Sequence, residues 1–557
     1  MCEAEQDDTE QPLLRAEAIA ARLDSQRVSG VAQKCMKCQD NSAVLVIRVG
    51  DAFCKSCFKE YFVHKFRAML GKTRLIFPGE QVLLALSGGP TSSAMLCQVQ
   101  EGLSREAPKK LRFCPGIVHI DEGAVCGRSL EERRATLTQL EAIFQSSGFP
   151  YHIVYLEEVF KLPNSMLQSV SSSPASHYGE NYKEAVDGFL QKQRETLTQI
   201  EQTPTVVEQL NVTDTEEQVQ TKLAQLHICD LFGKENTGYT FTEASTSGKW
   251  PFNLTQTEAI KELFSSIKTL TAKEELLQTL RHHLLLYTAR IKGYTKIMMG
   301  DSCTRLAVKL LTNISLGRGA SLAIDTGFSD NRYGDIMIVR PMREYSSKEI
   351  AFYNKLFDVP NIFTPALDTK ANDKASIHRL TESFVNKLQS DFPSTVSTVY
   401  RTSEKLNTVS SDFNCGAEQI DKCLLCLCAM DTKVEKASAF HATLISEKLS
   451  LKQNPDQMLV KEVTEPSCCG DDGVEEKGKC CGAHSEAFCS TDSNRTTDLL
   501  SMLCYSCRLT VKDMVSLDLL PQYVLSEAER RKRRAQVREQ IQEFLLAPEE
   551  EVDTTSS

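Results

Sequence analysis

The chain has 557 residues, enough for two or three domains with cores of their own, and its 25% charged and 41% hydrophobic residues describe a soluble protein. No apolar run approaches the ~20 residues that cross a bilayer, and the acidic start Met-Cys-Glu-Ala-Glu-Gln-Asp-Asp has no apolar signal core, so neither a membrane partner nor secretion is expected. A net charge of −10 argues against nucleic acid bound over the whole surface, while local basic patches can still hold RNA.

Residues 1–30 are polar and read as a mobile N-terminus with one helix signal at Leu13 to Leu23. The 21 cysteines, without a signal peptide, point to thiols and metal sites in a reducing compartment, the cytoplasm by default. Cys35-Met-Lys-Cys38 and Cys54-Lys-Ser-Cys57 stand fifteen residues apart. Each Cys-x-x-Cys turn presents two thiolates on one side, and two such turns close a tetrahedron around structural zinc with no open position; four buried free thiols are the metal-free alternative. Phe58, Tyr61, Phe62, Phe66 and Leu70 then recur at helical spacing and give the 31–75 module a face to pack. Lys59, Lys65, Arg67, Lys72 and Arg74 occupy other positions of the same segment, a solvated helix face or a surface for an RNA backbone.

Val82-Leu-Leu-Ala-Leu86 reads as an inner parallel strand, and Ser87, Gly88 and Gly89 turn it into a helix that starts with Pro90, Thr91, Ser92 and Ser93. Backbone N–H groups converging there, at a helix N-terminus, suit a phosphate, with Ser87, Gly88, Gly89, Ser92 and Ser93 as the candidate nucleotide-binding residues. No Gly-Lys-Ser/Thr follows, so the loop is not a Walker A loop. Strands at Gly116 to Ile120 and His152 to Leu156, with a helix from Ser129 to Gly148 between them, imply a doubly wound parallel α/β domain over 76–400. Its ligand cleft should lie where Ser87 to Ser93 and Asp121-Glu122-Gly123 follow their strands. Residues 161–257 are rich in Gln, Ser and Thr and read as a surface insertion. Regular structure is expected to resume over Leu263 to Lys292, with an apolar face at Leu276, Leu277, Leu280, Leu284, Leu285 and Tyr287, followed by a strand at Lys296 to Met299.

The strand, Ser-Gly-Gly, helix order resembles the PP-loop of ATP pyrophosphatases, whose pattern Ser-Gly-Gly-x-Asp-Ser puts an acid where this chain has Thr91. Gly300-Asp301-Ser302-Cys303-Thr304-Arg305, continuing through Ala307 and Leu311 to Asn313, resembles the Gly-His-Asn-x-Asp-Asp-x-Ala-Glu-Thr-x-Leu-Met-Asn segment of tRNA-thiolating PP-loop enzymes. Gly300, Ala307, Leu311 and Asn313 match, while Asp301, Thr304 and Arg305 replace a His and two acids. Arg340-Pro341-Met342 is similar to the family's Arg-Pro-Leu segment. The family's central cysteine trio is absent: between Asp230 and Tyr400 the sequence has only Cys303, which reads as a buried thiol or a nucleophile.

Cys423-Leu-Leu-Cys426 and Cys504-Tyr-Ser-Cys507 can close a second zinc ribbon over 401–525, with Cys428 as a competing ligand and the loop 431–500, which carries Cys468, Cys469, Cys480, Cys481, His484 and Cys489, read as disordered. In the last segment, 526–557, Arg530-Arg-Lys-Arg-Arg534 precedes Val537, Ile541, Phe544 and Leu545 at helical spacing, which fits a nuclear signal, a partner helix or an RNA-binding helix. Metal modules at both ends of a PP-loop domain look like the cytoplasmic tRNA 2-thiolation proteins. The resemblance implies a degenerate subunit beside a catalytic PP-loop paralogue in a heterodimer, with tRNA bound. Sulfur would pass from a thiocarboxylated ubiquitin-like carrier to wobble uridine 34 of Lys, Glu and Gln tRNAs. ATP binding is put in doubt by Thr91, which lacks the carboxylate that would help hold Mg²⁺. Two other readings compete: an adenylating enzyme using Asp121 or Glu122 for Mg²⁺, and a zinc-ribbon interaction scaffold unrelated to tRNA.

Overall fold

The computed structural model describes residues 33–47, 51–104, 110–168, 182–200, 254–392, 394–405, 422–430, 499–512 and 514–541. The expected mobile N-terminus, most of the 161–257 insertion and the cysteine-rich stretch from Cys468 to Cys489 lie outside the described residues. Leu45–Val46 (β1) and Ala52–Phe53 (β2) form an antiparallel pair before the helix Lys55–Thr73 (α1). Gln81–Ala85 (β3), Pro90–Leu103 (α2), Cys114–Asp121 (β4), Leu130–Ser147 (α3) and Tyr151–Tyr155 (β5) alternate strand and helix. Then come Tyr182–Ile200 (α4), Leu254–Ser265 (α5), Leu270–Lys292 (α6), Lys296–Met299 (β6), Cys303–Ser315 (α7) and Leu322–Thr326 (α8). Ser329–Asp330 (β7), Met337–Val339 (β8), Ser347–Leu356 (α9), Ile377–Asp391 (α10) and Thr395–Thr402 (α11) follow, and Tyr505–Lys512 (α12) and Gln522–Gln540 (α13) complete the described elements.

The six-stranded sheet runs β5-β4-β3-β6-β8-β7. All neighbours are parallel, as the doubly wound reading expects, except the edge pair β7 and β8. The chain between those two strands covers only 331–336, and Gly334 turns it at φ +82°; so short a link cannot make the crossover that parallel pairing needs. Val82, Leu83 and Leu84 are fully buried because the inner strand is covered on both faces. Val82 and Leu84 join the core with α1, α2, α3 and α9, whereas Leu83 faces the core built by α5, α6 and the C-terminal cysteines. From β3 the chain adds β4 and β5 on one side and β6 and β8 on the other, so the crevice beyond β3 and β6 is the topological switch point.

The regular structure expected over Leu263 to Lys292 belongs to two helices, the end of α5 and all of α6. Apolar periodicity runs on through the break, but Thr269 leaves helical geometry and its hydroxyl accepts from the Ala272 N–H, capping α6, while Ile267 bridges to Met514. Gly116 on β4 is set by Tyr294: a Cβ there would fall 1.9 Å from the tyrosine hydroxyl. Helix α1 lies against the core through Phe62, whose ring stacks on Tyr353 at 4.0 Å between centroids and whose carbonyl accepts from the Tyr345 hydroxyl at 2.6 Å.

Candidate nucleotide cleft and cysteine clusters

The structure brings Ser87 to Ser93 together as a tight strand-to-helix loop. Gly88 takes φ +82°, and a Cβ on it would sit 2.5 Å from Leu140 Cδ2, so glycine is required twice over. The Gly88 carbonyl accepts from Ser93 Oγ at 3.2 Å and from the Ile362 N–H at 2.9 Å. Ser92 Oγ donates to the Gly89 carbonyl at 3.0 Å and lies 3.3 Å from Ser87 Oγ. His119 Nδ1 contacts the Leu86 carbonyl at 2.8 Å from below, and Asn354 Nδ2 donates to the Pro90 carbonyl at 2.9 Å. Burial pushes the His119 pKa down, so the neutral ring supports the loop. Gly300 faces this loop: a Cβ on it would come within 3.2 Å of the Ser92 backbone. Of these supports the sequence motifs mark Gly300, but not Leu140, Ile362, His119 or Asn354.

The acids that the adenylating reading assigns to Mg²⁺ are engaged elsewhere. Asp121 is buried, accepts from Arg133 Nε at 2.7 Å and from the Gly123 N–H at 2.9 Å, and Arg133 continues to Glu157 at 2.7 and 3.1 Å. Glu122 forms a two-contact pair with Arg281, one of them at 2.8 Å. Carboxylates matched by guanidinium forks have little negative field left for a divalent cation.

Across the crevice, Asp301 lies 3.4 Å from Arg340 Nε, and Lys309, Arg340 and Arg305 outweigh burial to hold its carboxyl below the usual range. Lys309 is itself pushed down by burial and by Arg340. Thr304 does not face the cleft; its hydroxyl accepts from the Ser347 N–H at 3.2 Å and tethers α9 to α7. Arg305 is exposed and Ser302 caps α7. Asn313 donates to Asp325 at 2.9 Å, a structural role. Cys303 is buried among Leu306, Ala307, Val385, Val396 and Tyr400, and burial pushes its thiol up to about 11, the wrong direction for a nucleophile.

Both cysteine quartets assemble. In each of Cys35, Cys38, Cys54, Cys57 and Cys423, Cys426, Cys504, Cys507 the sulfurs lie within 4.8 Å of one another. Cys38 and Cys54 sulfurs are 3.9 Å apart and Cys426 and Cys504 sulfurs 3.6 Å apart, close to the ~3.8 Å edge of a tetrahedron with metal–sulfur bonds of about 2.3 Å. The residues therefore fit one tetrahedral ion each; a four-iron cluster, with a cysteine on each separate iron, would hold its sulfurs farther apart. The two sites share one construction. A turn supplies the first pair, and the residue after its second cysteine, Gln39 or Leu427, takes a left-handed φ of 58° while its N–H bonds back to the first cysteine carbonyl at 2.9 or 3.1 Å. A helix start supplies the second pair: Cys54 precedes α1 and Cys504 precedes α12, where the positive end of the helix favours thiolate. Hydrogen bonding to Ser56 brings Cys54 down to about 6, while burial pushes Cys57 up to about 12, and a divalent ion would draw all four to the thiolate form. Cys428 is not one of the four but adjoins them, its sulfur donating to the Cys426 carbonyl at 3.8 Å. Arg332 donates to its sulfur at 2.7 Å and reaches Asp330 at 2.8 Å and also Asp325.

With this geometry in place, the relatives can be set beside it. A family model described as cytoplasmic tRNA 2-thiolation protein 2 matches residues 376–509, from α10 to the second quartet. The cytoplasmic tRNA 2-thiolation protein 2 of Danio rerio is 54% identical over 530 residues, covering 94% of this chain and 96% of that protein. The human protein of the same name is 48% identical over 520 residues, covering 92% and 93%. The chain belongs to the cytoplasmic tRNA 2-thiolation protein 2 family. A U34-tRNA thiolase of Methanococcus maripaludis, solved with its [4Fe-4S] cluster, covers 70% of this chain and 93% of its own at 13% identity and a TM-score of 0.40.

Of the basic residues read as RNA candidates, four stay accessible and one does not. Lys59 and Lys72 are exposed, Arg67 is half-buried, and Arg74 is exposed beside the Tyr182 ring. Lys65 instead points inward, donating to buried Glu349 at 2.7 Å over the Tyr345 ring. Its job is to dock α1 on α9. Among the described residues no helix is long and apolar enough to cross a membrane.

Proposed function

We propose that this chain is the subunit of a cytoplasmic tRNA thiolase that contributes shape and RNA-binding surface while a PP-loop paralogue performs the chemistry. In this reading the pair forms a heterodimer that 2-thiolates wobble uridine 34 of Lys, Glu and Gln tRNAs, drawing sulfur from a thiocarboxylated ubiquitin-like carrier. Zinc is the ion we assign to both quartets, four thiolates around a closed and structural site. The observation that carries the proposal is the pairing of the cleft acids, Asp121 with Arg133 and Glu122 with Arg281; burial also pushes up the thiols of Cys126, beside those pairs, and Cys303, to about 12 and about 11.

The alternative, adenylation by this chain itself, draws support from the intact turn of Gly88 and Gly89 at a helix start. The two readings separate at Gly89, which has φ −74° and room for a side chain, unlike Gly88. Gly89→Val fills the phosphate position without disturbing Leu140. In the reconstituted pair, thiolation of a tRNA transcript by the variant should remain within about twofold of the parent; a loss of a hundredfold or more, the scale of a missing electrostatic site, would establish nucleotide chemistry here.

A further inference from the structure

Helix α13 leaves the body of the protein half-way along its length. Its first turns are anchored by buried Tyr523, Val524, Glu527 and Ala528, whereas every residue from Arg533 to Ile541 is exposed, about 13 Å of helix at 1.5 Å per residue. Buried Glu527 sets the base of this arm: it accepts two bonds from Arg530 at 2.7 Å and one from Arg531 at 2.9 Å, and Arg531 also donates to the Lys422 carbonyl beside the second quartet. At ~100° per residue, Arg530, Arg531, Arg533, Arg534 and Arg538 fall within about 160° of one another, an arc that also holds Val537, with Lys532, Ala535, Gln536, Glu539 and Gln540 on the other side. Six cations and no acid lie between Arg530 and Arg538, in a chain whose net charge is −10.

We infer that the arginine face of this protruding helix is a docking surface for the phosphodiester backbone of RNA. A row of planar guanidinium forks on a rigid helix suits phosphate oxygens, which each fork can engage with two bonds. A lipid surface would require a continuous apolar face, and the exposed apolar residues of this arm are Val537 and Ile541, 53% and 43% exposed. The inference rests on the tRNA reading above and locates part of its RNA surface at the end of the chain opposite to α1. The anchored base matters because a fixed arm loses little entropy on binding.

The test measures binding of the full-length chain to an unmodified tRNA transcript across a salt series, for the parent, Arg533→Gln/Arg538→Gln and Arg533→Lys/Arg538→Lys. Both positions are exposed, so equal melting temperatures are expected. The glutamine pair should weaken binding about tenfold near 0.15 M salt and reduce the slope of log K against log salt by roughly 1.5, and the lysine pair should retain most of both. Parent-like affinity and slope in the glutamine pair would overturn the arm alone, leaving the tRNA reading intact. A parent that does not bind tRNA would overturn both. Retention of tRNA binding by the glutamine pair together with loss of binding to a polyglutamate peptide or to anionic vesicles would transfer the arm to a different partner and refute the inference.

Discussion

Arg133 illustrates how one residue can settle what a cleft is able to do. It lies between Asp121 and Glu157 with almost no solvent contact, so its removal leaves two buried carboxylates facing each other. Arg133→Met should therefore destabilise the chain by about 3–5 kcal/mol, read as a lower urea midpoint with an unchanged slope. The opposite sign is expected at Gln39, an exposed residue held at φ 58° after the first Cys-x-x-Cys turn. Gln39→Gly removes the left-handed penalty and should raise stability by about 0.5–1 kcal/mol in thermal melts. Leu427 has the same φ, but its side chain is buried in the main core, so glycine there would forfeit packing that outweighs the relief.

At the scale of elements, the module that carries the first quartet is held by α1 and not by a linker. Phe62 stacks on Tyr353, Tyr345 bonds to the Phe62 carbonyl and Lys65 pairs with Glu349. Phe62→Ala should cost about 3–5 kcal/mol and expose α1 to limited proteolysis before the sheet is cut. Much of this architecture was legible in the sequence. β3, β4, β5 and β6 stand out because buried strands read as short apolar runs, and the quartets because thiolate spacing is stereotyped. The break before α6 was not, since a single Thr cap interrupts an apolar period that continues on both sides. Helices α10 and α11 were also missed, lying at the end of the 76–400 domain, where no element was read. The site was legible in its loops and illegible in its pairing. Asp121 and Arg133 are 12 residues apart and Glu122 and Arg281 are 159 apart, and no local pattern says that either acid will meet a guanidinium.

For the whole molecule, the seam between the sheet domain and the C-terminal segment is set by His283. A carbonyl only accepts, so its Nε2 carries the proton to Leu425 O at 2.9 Å and Nδ1 is left to accept from the Tyr523 hydroxyl at 2.7 Å. Burial brings its pKa to about 4, against smaller upward pulls from the Leu425 carbonyl and then Cys426. The unfolded chain therefore takes up this proton first, and stability is lost as the pH falls from about 6.5 to about 4, by roughly 2–3 kcal/mol at the bottom of that range. His283→Gln should flatten this part of a stability profile measured by urea titration at several pH values. The second quartet shares the same core, packed with Leu276, Leu280 and Leu284 of α6, and Arg332 and Arg340 link its neighbour Cys428 to Asp330 and the crevice beyond β6. Stripping its ion with a strong chelator should thus lower the melting temperature of the sheet domain itself, where a tethered ribbon would shed its metal and leave the rest unchanged. With an ion in the second quartet, metal supply would act as an inspection step on the entire polypeptide: a copy starved of it would open more readily and so be cut by proteases sooner.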